Sequence, residues 1–406
     1  AQGLDRATQQ TRLRMALFNG QHSYAAQLLA ETPDLAAGQF GLLCALFDRD
    51  GVAAMRADDP AHATRMLAPR RPILHLAFSK HLQADPSLEP DMLAIAQMLL
   101  DHGADVNDSF MYEGSQDPLS ALYGALGHAG NMPLARWLLQ NGANPNDNES
   151  LYHATELGHA DGVALLLDHG AQPDGTNALA RAMDFNNHQM VQMMIDAGAS
   201  VTLPGNLLHH AARRMCDARM VQSLMDAGAD PSQTDQGLTA YGVARVYGNQ
   251  ALVAALQAAG PVPDLTRDEA LLARAADGLD SPGQWIDPAK LPEEYRNILR
   301  NILAMPGKLD HMKRLVALGV EYDRPDSQGL TPVQMAGWEG LPEILAFFLR
   351  LKPDLAHVNA YGGTLFSTIL HGSENCPNRA SRDHLECLRL VLQEGVALPK
   401  AALRFT

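Results

Sequence analysis

The stretch that decides the fold is Leu166-Leu167-Asp168-His169-Gly170-Ala171-Gln172, two leucines closing an apolar run, then Gly-Ala, then a polar tail. A Gly directly after a helical run marks the point where the chain turns left-handed, a conformation that costs a residue with a Cβ more. The phrase recurs upstream as Leu99-Leu100-Asp101-His102-Gly103-Ala104-Asp105 and Leu138-Leu139-Gln140-Asn141-Gly142-Ala143-Asn144. Downstream it returns as Met194-Ile195-Asp196-Ala197-Gly198-Ala199-Ser200, Leu224-Met225-Asp226-Ala227-Gly228-Ala229-Asp230 and Leu256-Gln257-Ala258-Ala259-Gly260. Self-similarity at such a spacing signals a repeat architecture, in which each unit buries its apolar face against its neighbours.

The six glycines stand at 103, 142, 170, 198, 228 and 260, so they step by 39, 28, 28, 30 and 32 residues. The polar tails, Asp105-Val106-Asn107-Asp108 and Asn144-Pro145-Asn146-Asp147, break the helix and offer side chains that bond their own backbone in turns. Each unit also needs an opening helix. Thr331-Pro332-Val333-Gln334-Met335-Ala336, Arg71-Pro72-Ile73-Leu74-His75-Leu76-Ala77 and Asn206-Leu207-Leu208-His209-His210-Ala211-Ala212 read as such openings, with Thr239-Ala240-Tyr241-Gly242-Val243-Ala244 looser. Sixteen residues before Gly170, Gly198 and Gly228 stand Ala154, Ala182 and Ala212, which fixes the register of both helices.

These openings and closings resemble ankyrin repeats, with their Thr-Pro-Leu-His-x-Ala start and period of about 33 residues. The likeness runs over roughly residues 11–400, and its degenerate wording resembles a divergent bacterial type. It implies an all-α ankyrin-repeat solenoid of about eleven helix–turn–helix units, a curved stack whose first helices line a concave groove. Residues 1–70 then hold degenerate capping repeats, recognisable only by Ala25-Ala26-Gln27-Leu28-Leu29 and Gly51-Val52-Ala53-Ala54-Met55 as second helices. Residues 71–264 hold the regular repeats, and 265–406 divergent ones with insertions near Asp280-Ser281-Pro282-Gly283 and from Cys376 to Asp383. Units of 28 residues leave little length for projecting β-turn fingers.

Composition agrees with this reading. Hydrophobic residues make up 46% of the 406 and aromatics only 5%, which favours repetitive helical packing over a β-rich core. A formal charge of −15 opposes a polyanion, so neither nucleic acid nor an anionic membrane surface is an expected partner. No 18-residue apolar run exists to insert into a bilayer. Four scattered cysteines (Cys44, Cys216, Cys376, Cys387) suggest thiols in a reducing compartment, hence a cytoplasmic location, with a secreted effector as the alternative. Ala1 reads as a trimmed start, which leaves a removed leader open.

The repeat register says where function would lie. The eighth position of each opening should face the groove, and reading it down the chain gives Ser79, His128, Glu156, Asp184, Arg213, Val246, Trp338 and His371. Neighbouring helices pack about 8–10 Å apart, so adjacent tips could share a ligand. The same position faces solvent in any such repeat, so polar residues there require no function. Two readings follow. In the first, the groove binds a partner protein or peptide, as the family resemblance implies. In the second, it holds a small molecule or performs catalysis, with His128, Glu156, Asp184 and His371 as acid–base candidates. Ligand-contacting candidates are Tyr152, His153, Glu156, Asp184, Arg213, Trp338, His371 and Glu374, and the two insertions could cover the Trp338/His371 end.

No cofactor or metal is expected. His153 and Glu156 share a helix face, but a second His at helical spacing is missing. His371, Cys376, His384 and Cys387 are zinc-type residues at a spacing unlike known fingers, and His384 and Cys387 sit in a run that reads as core packing. Phosphate-loop and nucleophile-elbow patterns are absent from the sequence. His75 and His209, in the Thr-Pro-Leu-His slot, are expected to bond backbone between repeats.

Overall fold

A computed structural model describes residues 4–112, 117–202 and 206–397. The chain separates into two compact units, residues 1–203 and 204–406. In the first unit the described residues form helix pairs: Arg6–Asn19 with His22–Glu31, Phe40–Ala45 with Arg49–Asp58, Pro72–Ala77 with Glu89–Asp101, Ala121–Tyr123 with Met132–Gln140, Ser150–Glu156 with Ala160–Asp168, and Ala178–Asp184 with His188–Asp196. First helices pack on first helices and second on second, the layering a solenoid needs. The N-terminal pairs are complete, although only their second helices were legible as repeats.

The second unit continues the pattern with Leu207–Arg213 and Ala218–Asp226, Ala240–Tyr247 and Gln250–Ala259, Pro332–Trp338 and Pro342–Arg350, and Leu365–Asn375 and His384–Gln393. One pair, Arg267–Ala276 with Leu309–Leu318, is interrupted by an insertion holding the short helices Glu293–Arg296 and Ile298–Ile302.

The Gly-Ala phrase closes each second helix as the sequence suggests. Gly103, Gly142, Gly170, Gly198 and Gly228 lie at φ between +89° and +95°. At Gly170 the next amide, Ala171 N–H, reaches back to Leu166 O at 2.9 Å, and Gly170 N–H to Leu167 O at 3.0 Å, which together satisfy two carbonyls at the helix end. Gly260, followed by Pro261, departs from the set at φ +154°. The leading apolar residue of the phrase (Leu99, Leu138, Leu166, Met194, Leu224) is at most 1% exposed. Such burial stabilises by about 1.5–3 kcal/mol per side chain. Ala154, Ala182 and Ala212 are fully buried, so their lack of bulk lets adjacent helices approach.

The tails do more than turn. Asn107 Oδ1 accepts from Asn144 N–H at 2.7 Å, and Asn146 Oδ1 from Gln172 N–H at 2.7 Å, so each tail bonds to the next. Short β-hairpins occur at Ser109–Phe110 with Leu119–Ser120 and at Thr234–Asp235 with Leu238–Thr239, in units of 39 and 32 residues. The described residues of the two 28-residue units have none, as their length dictates. All four cysteines are free and buried, and among the described residues no helix is long and apolar enough to cross a membrane.

Candidate functional site

Four of the sequence candidates meet in the first unit. His153, on Ser150–Glu156, has its Nδ1 3.1 Å from Glu156 Oε2 and its Nε2 3.0 Å from Glu149 Oε2. Arg181, on Ala178–Asp184, donates to Glu156 Oε1 at 2.6 Å and to Asp184 Oδ2 at 3.0 Å. Its guanidinium also lies over the rings of Tyr152 at 5.9 Å and Phe185 at 4.8 Å. Tyr152 meets His153 edge-on, ring centres 5.2 Å apart, and Tyr123 tilts against His153 from the preceding repeat. The result is a chain of charges, Glu149–His153–Glu156–Arg181–Asp184, crossing two adjacent first helices.

Burial opposes the charge of Arg181, but the bonds to Asp184 and Glu156 outweigh it and hold its pKa above the usual value. Burial likewise raises the Tyr152 phenol. Arg181 and Glu149 were missed in the sequence because the candidates were drawn from the eighth position and a few neighbours of it, not from the whole helix face. Both stand one helical turn from a chosen residue, Arg181 before Asp184 and Glu149 before His153, and that spacing was the available signal.

The other candidates are placed differently. His128 ends a π-helical turn, Gly124–His128, which carries one residue more per turn and so rotates it off the α-helical count. Its Nε2–H donates to Phe18 O at 2.8 Å, and its ring rests on Phe18 with centres 4.1 Å apart. Burial pushes its pKa down to about 4, so it is neutral at pH 7 and fastens the N-terminal helix to this repeat. The eighth position is also not uniformly solvent-facing. Val246 is fully buried, and Ser79, which stands ninth rather than eighth from Arg71, is 2% exposed and donates to Ala45 O.

In the second unit Arg213 is covered by the insertion. Its Nε lies 2.9 and 3.0 Å from the two carboxylate oxygens of Glu294, and Nη2 3.3 Å from Asp235. Glu294 also accepts the Tyr247 hydroxyl at 2.6 Å. Within the insertion Glu294 is drawn to the cation of Arg213, while the helix Ile298–Ile302 packs against Pro332–Trp338, the helix that ends at Trp338. Trp338 and His371 do meet, ring centres 5.1 Å apart, while Glu374 is exposed on the same helix. The Cys376–Asp383 loop approaches this end through Asp383 N–H, which donates to Gly340 O at 3.0 Å. His384 Nε2 bonds Trp338 O at 2.8 Å and Cys387 is fully buried, so each has a packing role. Among the described residues no group of His, Cys, Asp and Glu is placed to hold a metal ion. His209 Nε2 bonds Leu238 O at 2.9 Å in the following repeat, and His75 Nε2 bonds Leu67 O at 2.9 Å.

Known proteins offer two points of comparison. Residues 122–204 match a family model described as ankyrin repeats in three copies. The crystal structure of the human ASB11 ankyrin repeat domain is similar to this chain at 20% identity and a TM-score of 0.42, covering 56% of this chain and all of that one. No curated protein matches the sequence. Paired helices in register and Gly-Ala closures agree with the family match: residues 122–204 of this chain match ankyrin repeats.

Proposed function

We propose that this protein is a binding module that recognises a partner protein or peptide through the surface carrying Tyr152, His153, Glu156, Arg181 and Asp184. Repeat solenoids bury their core between neighbours and present extended faces, which is why they commonly serve as interaction scaffolds. The observation that carries the reading is the association of this charge chain with two exposed apolar side chains, Leu157 and Phe185, 50% and 53% exposed. They occupy equivalent positions, 28 residues apart, at the ends of adjacent first helices. Aromatic groups beside pre-organised charges are the composition of interface hot spots. Three carboxylates (Glu149, Glu156, Asp184) against one Arg and one His favour a partner segment bearing cationic and apolar side chains. The catalytic reading has less support: His128 is held neutral, and both ring nitrogens of His153 face carboxylates.

The test begins with a partner captured on the wild-type protein, identified, and then purified. Its Kd is measured against wild type, Phe185→Ala and Glu156→Lys. Loss of about tenfold or more in Phe185→Ala, with unchanged circular dichroism, upholds the surface assignment. Equal affinity for all three proteins overturns it.

A further inference from the structure

The second helix pair, Phe40–Ala45 with Arg49–Asp58, does not close as the regular repeats do. No Gly-Ala follows Asp58. Asp59 is extended at φ −146° and ψ 101°, and the chain turns at Pro60–Ala63 before the next first helix begins at Pro72. Beside this irregular connection lies a cavity of about 270 Å³. Its walls include Phe40, Met55 and Leu67, the rings of His62 and His75, and Arg14 from the N-terminal helix Arg6–Asn19.

These walls carry two polar groups that the fold does not satisfy. Arg14, half-buried, meets no carboxylate and no other acceptor among the described residues, and its Nε is fully enclosed. Arginines elsewhere differ: Arg181, Arg213, Arg245 and Arg296 each meet a carboxylate within 3.0 Å. No Asp or Glu lines the cavity, and Asp59, the acid beside His62, is engaged by Arg65 at 2.6 Å. His75 is 2% exposed. Its Nε2–H donates to Leu67 O at 2.9 Å, and burial pushes its pKa down to about 4, so the ring is neutral at pH 7. Its Nδ1 is then a bare acceptor, fully enclosed and without a donor.

A guanidinium shielded from water without a partner costs free energy, and the cost falls away when an anion arrives. Dry cavities are apolar, whereas an unpaired cation and an unpaired imidazole nitrogen on the walls favour a polar guest. The chemistry of that guest follows from the same walls. One guanidinium fork matches one carboxylate through two parallel N–H···O bonds. The side chains of Phe40, Met55 and Leu67 match a hydrocarbon or aromatic body. A volume below the roughly 300 Å³ at which drug-sized pockets begin keeps that body short. Arg14 repels a cationic guest.

We propose that this cavity binds a small organic monocarboxylate, its carboxylate on the Arg14 guanidinium and its apolar body between Phe40, Met55 and Leu67. Arg14 borders solvent as well as the cavity, so an acid can reach it from outside. The site lies on other repeats than the Tyr152–Asp184 surface, and its failure would leave the function proposed there untouched.

The probes are 3-phenylpropionate, its uncharged amide, and acetate, followed by titration calorimetry and thermal melting at constant pH and ionic strength. Phenylpropionate is expected to bind the wild type and raise its Tm. It should bind about tenfold or more tightly than either control, because the amide lacks the charge and acetate lacks the body. Arg14→Gln, on a half-buried side chain, should weaken phenylpropionate binding about tenfold or more with unchanged circular dichroism. Met55→Trp fills the place of the body without touching Arg14, and should abolish that binding. A solvated Arg14 beside a water-filled cavity would instead give no phenylpropionate response in the wild type. That result, undiminished binding in Arg14→Gln or in Met55→Trp, or equal binding of acetate or the amide overturns the proposal.

Discussion

Replacing Glu294 tests how the insertion is held. Its carboxylate accepts Arg213 Nε at 2.9 and 3.0 Å and the Tyr247 hydroxyl at 2.6 Å. The Arg213 and Glu294 side chains are only 24% and 17% exposed, so solvent screens the pair weakly. Glu294→Ala removes both bonds, but it does not leave the partners bare. Arg213 keeps Asp235 at 3.3 Å, and the Tyr247 oxygen still accepts from Asn301 at 2.7 Å. With about 1.5–3 kcal/mol for each bond to a charged group and partial compensation, the net cost is about 2–4 kcal/mol. Glu294→Gln retains an acceptor for Tyr247 and loses only the charge, for about 1–2 kcal/mol. Repeat arrays do not always unfold in one step, so a global melting curve is the wrong instrument. Amide hydrogen exchange over Glu293–Arg296 and Ile298–Ile302 reads the local opening directly. Exchange there should accelerate about thirtyfold or more in Glu294→Ala, and less in Glu294→Gln. The same substitution in an Arg213→Ala background should have a smaller effect. Unchanged exchange in Glu294→Ala, or equal effects in both backgrounds, refutes the clamp.

Further outcomes concern single buried positions. His311 is 6% exposed with neither ring nitrogen bonded, and burial pushes its pKa down to about 3 from 6.5. Folded, it binds fewer protons than unfolded, so the stability it permits is full above pH 6.5 and is lost as pH falls toward 3. His311→Leu should raise stability at pH 7 by about 1 kcal/mol and flatten the acid slope in urea titrations; a loss of stability with an unchanged slope counts against it. At Gly372 an added Cβ would come within 2.9 Å of Trp338 Cα and C, and nearer still to its carbonyl oxygen. Gly372→Ala should therefore cost about 1–3 kcal/mol by melting and shift Trp338 emission as the stack with His371 separates; wild-type behaviour would show that the helices can part freely.

Much of the fold was legible because a repeat states its rules many times. The Gly170 turn, the buried Leu166 and the buried Ala154 each follow from a spacing seen several times over, and local chemistry accounts for all three. The N-terminal opening helices were not legible. Arg6–Asn19 packs with one face toward the other first helices, and Arg14 and Phe18 give no repeat signature. The grouping of Tyr152, His153, Glu156 and Asp184 followed from register. The role of Arg181 needed only the next turn of the same helix.

What the sequence determined by itself is the unit: two helices, a Gly closure, a polar tail, and the positions of small residues between them. These are short-range matters, fixed by φ, by helix periodicity and by which side chains can cap an end. Tertiary structure alone decided what each eighth position meets. His128 found a backbone carbonyl 110 residues away in sequence, and Arg213 found Glu294 from an insertion 81 residues on. Arg70 found three phenyl rings and, among the described residues, no acid. Partners so far apart in the chain leave no mark in a repeat's spacing, because they are brought together only when the stack and its insertions have closed on them.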